Sequence, residues 1–147
     1  MSPVADDEVP LTLEESARLV GGCRWLELEV FRVCGGAVRG SRDAPVVVAL
    51  SELATHAGWR AAQLGERLPQ SGSFSVDDVS VPPDGHVGAT ADPAAIRVAL
   101  EGLAERYSRL AGRLVGPADR AIARTVGQCL VDVRADLAVL DGCGEAA

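Results

Sequence analysis

Apolar positions recur at helical spacing through most of this chain. Between Thr12 and about Arg39, Leu19, Cys23, Leu26, Val30, Val33 and Ala37 fall on one stripe, with Val20, Glu27, Phe31, Cys34 and Val38 beside it. Arg18, Glu29, Arg32 and Arg39 take the opposite face. Apolar residues three and four apart share one side of a helix, so the pattern predicts a first helix with one buried face. Thr12 followed by Glu15 has the form of a capping box at its start. Gly21-Gly22 and Gly35-Gly36 are weak points inside it, each Gly costing about 1 kcal/mol against Ala. Such pairs either bend a helix or let another segment approach closely.

The same period returns three more times. Asp43 caps a second helix, Pro45 suits its first turn, and Val46, Leu50, Leu53, Ala57, Leu64 and Leu68 form its stripe before Pro69 stops it. Asp92-Pro93 opens a third, with Ile96, Leu100, Leu103, Tyr107, Leu110 and Leu114 as its apolar line. Gly116-Pro117 ends that helix and Pro117 begins the fourth, where Ile122, Val126, Cys129, Val133, Leu137 and Leu140 face the core. Gly142 and Gly144 are expected to terminate it. The expected organisation is a flexible arm over residues 1–11, one helical domain over 12–142 and a flexible tail over 143–147.

Connection lengths bear on topology. Short turns join helices one and two, and three and four, which makes each pair antiparallel. Gln70 to Ala91 has no helical period and is rich in Ser, Gly, Pro and Asp. Extended, a segment of that length reaches some 70 Å at about 3.3 Å per residue. A helix of 25 residues spans only about 38 Å. The segment is therefore long enough to run the length of the helices and start the third helix at the same end as the second.

Composition narrows the chemistry. Of 147 residues, 48% are hydrophobic but only 3% aromatic, so the core must be built from Leu, Val and Ala, which favours helix packing over a β-sandwich. The net charge of -7, with no basic stripe, disfavours nucleic acid and anionic membranes as partners. All 14 basic residues are Arg, which excludes Schiff-base lysine chemistry and a phosphate-loop lysine. Cys23, Cys34, Cys129 and Cys143 form no Cys-x-x-Cys pair, and buried reduced thiols are expected. Met1 to Pro10 is acidic and lacks the apolar run of a secretion signal, so a cytoplasmic location is expected.

The helix lengths, the single long crossover, and the segments ELATHAGWRAAQLGERLP and GPADRAIARTVGQCLVDVRADLAVL resemble the ferritin-like four-helix bundles. The likeness runs from about Leu13 to Leu140. It is to small actinobacterial ferritin-like proteins and, more remotely, to the diiron tRNA hydroxylases of that superfamily. The resemblance implies an all-α, up-down bundle with one long crossover between helices two and three. It also implies a di-metal site built from Glu, Glu-x-x-His, Glu and Glu-x-x-His on the four helices. Glu27 matches the first position and Glu52 the second, but Thr55 stands three residues on and the His is at 56. Glu101 or Glu105 matches the third, and Asp132 the fourth, with Ala135 where the second His belongs. The only other His, His86, lies in the crossover.

Each candidate has a structural reading beside the functional one. Glu27, on an apolar face, calls for an ion pair with Arg24, Arg60 or an Arg of another helix, or else a ligand or general-base role. Glu52 and His56 are spaced to pair with each other. Arg97, Glu101, Glu105 and Arg109 are spaced for surface ion pairs, and Asp132 and Asp136 for a solvated or paired role. Trp25, on the polar side of helix one, and Trp59 are candidate interface residues, with packing of Trp25 under the crossover as the alternative. The expectation is a metal-free relative acting as a binding or assembly scaffold, as a homodimer. It has two rivals. One is a di-iron or di-manganese oxygenase using Glu27, Glu52, His56, Glu105 and Asp132. The other is a small-molecule pocket with Glu27 and His56 as acid and base, and a protein partner remains open throughout.

Overall fold

The protein, seen in a computed structural model that describes residues 9–86, 88 and 90–145, is all-α. Four long helices carry it: α1 (Leu13–Val38), α2 (Ala44–Arg67), α4 (Pro93–Arg113) and α5 (Arg120–Glu145). A single turn of helix, α3 (Val76–Val79), sits within the connection from α2 to α4. The expected arm over 1–11 lies mostly outside the described residues. No helix among the described residues is long and apolar enough to cross a membrane.

Helix boundaries follow local chemistry. Thr12 and Glu15 make the full capping box: the Glu15 amide donates to Thr12 Oγ1 and the Thr12 amide to Glu15 Oε2. Asp92 caps α4 through the Ala94 amide, ahead of Pro93. Asp43 precedes α2 with extended backbone, but its side chain makes no capping bond. Between α4 and α5 a 3-10 turn, Pro117–Asp119, intervenes, so α5 begins three residues later than Pro117 suggests.

The expected stop at Gly142 is corrected, because α5 continues through it to Glu145. A glycine cap works by adopting a left-handed backbone. Among the described residues only Gly85 does so, at φ 70.

The long helices pack in four pairs: α1 with α2, α2 with α5, α5 with α4, and α4 with α1. Partners run in opposite directions. Arg24 lies over Gly65 and Phe31 over Gly58. Across α2 and α5, His56 meets Asp136 and Arg60 meets Asp132. The core between them is aliphatic, with Val20, Val30, Leu64, Leu100, Leu103, Val126 and Val133 almost fully covered. Three residues assigned by phase to buried stripes or their flanks are instead exposed: Leu19, Phe31 and Val46. Each sits at the margin of its helix's covered arc, where one residue of phase error decides exposure.

The α2–α4 connection is held against α1. A Cβ on Gly21 would come within 2.2 Å of the Val79 carbonyl oxygen, and one on Gly22 within 3.3 Å of Pro83 Cβ. The Gly21-Gly22 pair thus serves close approach, and α1 runs through it as one helix. Arg24 Nη1 donates to Ser80 Oγ at 2.8 Å, a second tie to the same segment.

Candidate functional site

At mid-height of the helices a charged cluster is set in the aliphatic core and reaches the surface at one edge. Arg60 is its centre. It stands at core spacing between Ala57 and Leu64 on α2 and is 0% exposed. Its Nε donates to Glu27 Oε1 on α1 at 2.7 Å. Its Nη1 donates to Asp132 Oδ2 at 2.6 Å and to Asp136 Oδ2 at 2.7 Å, both on α5. From α4, the Tyr107 hydroxyl donates to Glu27 Oε1 at 2.6 Å. All four long helices therefore meet in one hydrogen-bonded network.

The network is graded from inside to rim. Glu27 and Tyr107 are fully covered. The Asp136 side chain is 5% exposed, Asp132 33% and His56 45%. His56 Nδ1 lies 2.7 Å from Asp136 Oδ1, so Asp136 joins the rim imidazole to the buried guanidinium. A shallow groove lined by Trp59, Arg124, Gln128 and Val131 reaches the network at Asp132.

Electrostatics fix protonation. Burial opposes charge on Arg60, but Glu27, Asp136 and Asp132 outweigh it and hold the guanidinium charged well beyond any accessible pH. Burial pushes the Glu27 carboxyl up from its usual range, against the downward pull of Arg60 and Tyr107. Asp136 nearby adds to the rise. Burial also raises the Tyr107 hydroxyl, with Glu27 reinforcing it, so Tyr107 stays a neutral donor. Cys23 and Cys129 are pushed up to about 12 and Cys34 to about 11, each mainly by burial. They are buried protonated thiols, as the spacing predicts. Two atoms of the cluster, Glu27 Oε2 and Arg60 Nη2, are buried without a hydrogen-bond partner.

Several sequence-based expectations change here. Of the open choices for Glu27, the partner is Arg60. His56 pairs with Asp136, not with Glu52, because its ring points across to α5, while Glu52 is on the exposed side of α2. Glu101 and Glu105 are exposed, and Glu105 lies 3.7 Å from Arg109 on the outer face of α4. Arg97 bonds to Asp141 of α5, not to Glu101.

The set Glu27, Glu52, His56, Glu105 and Asp132 is therefore not assembled in one place. The Glu27–His56 acid–base pair is not in contact either, since each is bonded to a different group. Trp25 is half-buried rather than on a free polar face, and its ring meets His86 of the α2–α4 connection edge-on, centroids 5.2 Å apart. Trp59 is 45% exposed.

Arg60 was among the partners offered to Glu27 and Asp136 was read as solvated or paired, but nothing in the sequence brought the two together at the centre. The signal for Arg60 was present: it falls on the same face as Ala57 and Leu64. Tyr107 was read as a core residue, and its hydroxyl was the overlooked handle.

The residues do not fit the di-metal centre the resemblance implies. His56, Asp132 and Asp136 do bring ligand atoms within 4.8 Å of one another. Yet the Arg60 guanidinium occupies the space between the two aspartates, and a metal there would have to displace it. The class the site defines is a helical protein with a buried arginine–carboxylate centre. No protein-family model, curated protein or solved structure matches the chain.

Proposed function

We propose that this chain is a metal-free ferritin-like four-helix bundle that works as a binding or assembly scaffold. The supporting observation is Arg60, fully buried and donating to Glu27, Asp132 and Asp136. It supplies at the centre of the helices the positive charge that metal ions supply in the bundles the sequence resembles. A guanidinium has no open coordination position and does not titrate, so its role at the centre is to hold the four helices together.

Topology supports the bundle assignment. With α2 and α4 both antiparallel to α1, the two run the same way, and the connection between them must return the chain along the length of the helices. The Gly21-Gly22 contacts with Val79 and Pro83 lie on such a path. Trp59, exposed beside Val131 at 69% exposure, is the anchor proposed for the homodimer.

The test is metal analysis of full-length protein expressed with added iron and manganese, then dialysed against chelator. The scaffold reading expects less than stoichiometric metal. Stoichiometric metal that disappears in Asp132→Asn or His56→Ala would overturn it in favour of the oxygenase reading.

A further inference from the structure

Away from the buried centre, a cleft opens between α1 and the C-terminal half of α4, with Pro83, Asp84 and Gly85 of the crossover as its wall. Four of the chain's 14 arginines line it: Arg18, Arg106, Arg109 and Arg113. In a protein of net charge -7 that concentration is the opposite of the surface as a whole. Arg106, Arg109 and Arg113 stand three and four residues apart on one face of α4, where like charges repel.

The nearby carboxylates only partly offset this. Glu14 pairs with Arg18, both about 60% exposed, and Glu105 is 3.7 Å from Arg109. Exposed pairs of this kind are weak and exchangeable. Glu15, held below its usual range mainly by the Thr12 bonds and slightly by Arg113, is engaged in the Thr12 cap. Asp84 lines the cleft, but Arg106 donates to its backbone carbonyl. Among the described residues, no carboxylate lies within ion-pair distance of Arg106 or Arg113, and Arg113 Nε is buried without a partner.

A second, mainly apolar groove continues from the first, sharing Gly85 and Arg106 with it and lined by Leu26, Val98 and Leu103, with Glu29, paired to Arg32, at its edge. We propose that this composite cleft binds a small amphipathic oxyanion, its phosphate or carboxylate head held by Arg106 and Arg113 and its apolar tail in the groove. A planar guanidinium donates two parallel hydrogen bonds to either head group. Binding also relieves the repulsion along α4. Both grooves are lined by α1, α4 and the α2–α4 connection and by no residue of α2 or α5, so the site is separate from the Arg60 centre and does not rest on the scaffold reading.

Calorimetric titration of the full chain with octyl phosphate, inorganic phosphate and 1-octanol tests both halves. Octyl phosphate should bind saturably and at least about tenfold tighter than either of the others. An Arg106→Gln/Arg113→Gln variant should weaken it by about tenfold or more, and Arg134→Gln, on the exposed side of α5, should leave it unchanged. No saturable binding of octyl phosphate overturns the proposal. So does equal binding of 1-octanol, which removes the arginines from the argument, or of inorganic phosphate, which removes the groove. The three ligands are compared on the native protein, so the outcome stands even if the double variant fails to fold. Undiminished binding by a folded double variant likewise overturns it.

Discussion

Arg60→Met leaves Glu27 and Asp136 buried without their cation. Removing one partner of a buried charge pair costs about 3–5 kcal/mol, because the other charge remains uncompensated. Urea denaturation should show a loss of that size, and adding Glu27→Gln and Asp136→Asn to Arg60→Met should recover part of it. A loss below about 1 kcal/mol for Arg60→Met alone would mean that the carboxylates find other partners.

Glu27 makes a pH prediction. Its ordinary value is 4.5 and its folded value is higher, mainly through burial. Between the two, the native state holds a proton that the unfolded chain has released. Its contribution to stability is therefore full below 4.5 and is lost as pH rises through the folded value. In Glu27→Gln that component vanishes. Relative to wild type, the variant should gain stability as pH is raised from about 4.5, by at most ~1.4 kcal/mol per pH unit. Parallel curves for the two proteins would sink this assignment.

Among elements, the contact of α1 with the α2–α4 connection leaves the least room at a glycine. Gly21→Ala places a methyl against the Val79 carbonyl, and backbone must move to admit it. The expected cost is about 1–3 kcal/mol. Gly35→Ala, on the same helix, meets nothing within 4 Å and should be neutral or stabilise by up to about 1 kcal/mol through helix propensity. In thermal melts Gly21→Ala should fall below wild type and Gly35→Ala should not, and a Gly21→Ala protein as stable as wild type would show that the α2–α4 connection does not depend on this contact. Sequence pattern placed the pair inside α1 and raised both bending and close approach. It had no means of naming Val79 as the neighbour, because that contact crosses 58 positions of chain.

For the whole molecule, the proposed homodimer rests on Trp59 and its apolar neighbour Val131. Sedimentation equilibrium should give a dimer for wild type and a monomer for Trp59→Ala. A wild-type monomer at high concentration would remove the dimer from the proposal. Trp25, turned onto His86, is expected to affect packing of the α2–α4 connection more than self-association.

Much of this architecture was legible along the chain. Apolar period, the Thr12 and Asp92 caps and the helix-start prolines Pro45, Pro93 and Pro117 marked four long helices, because caps and periodicity act over a few residues. Glu27 stood out as an acid on an apolar face for the same reason. Arg60 was legible as one of several possible partners of Glu27; the other pairings of the charged groups were not. Arg60 meets Asp136 across 76 positions, and His56 meets it across 80. Local spacing offered Glu52 to His56, and Glu101 to Arg97, and both lost to groups on α5. Sequence alone thus determined the helices, their buried faces and the presence of a buried acid. Only the tertiary structure decided that an arginine, not a pair of histidines, completes the centre, because which charges meet depends on how neighbouring helices are rotated and set in height against one another.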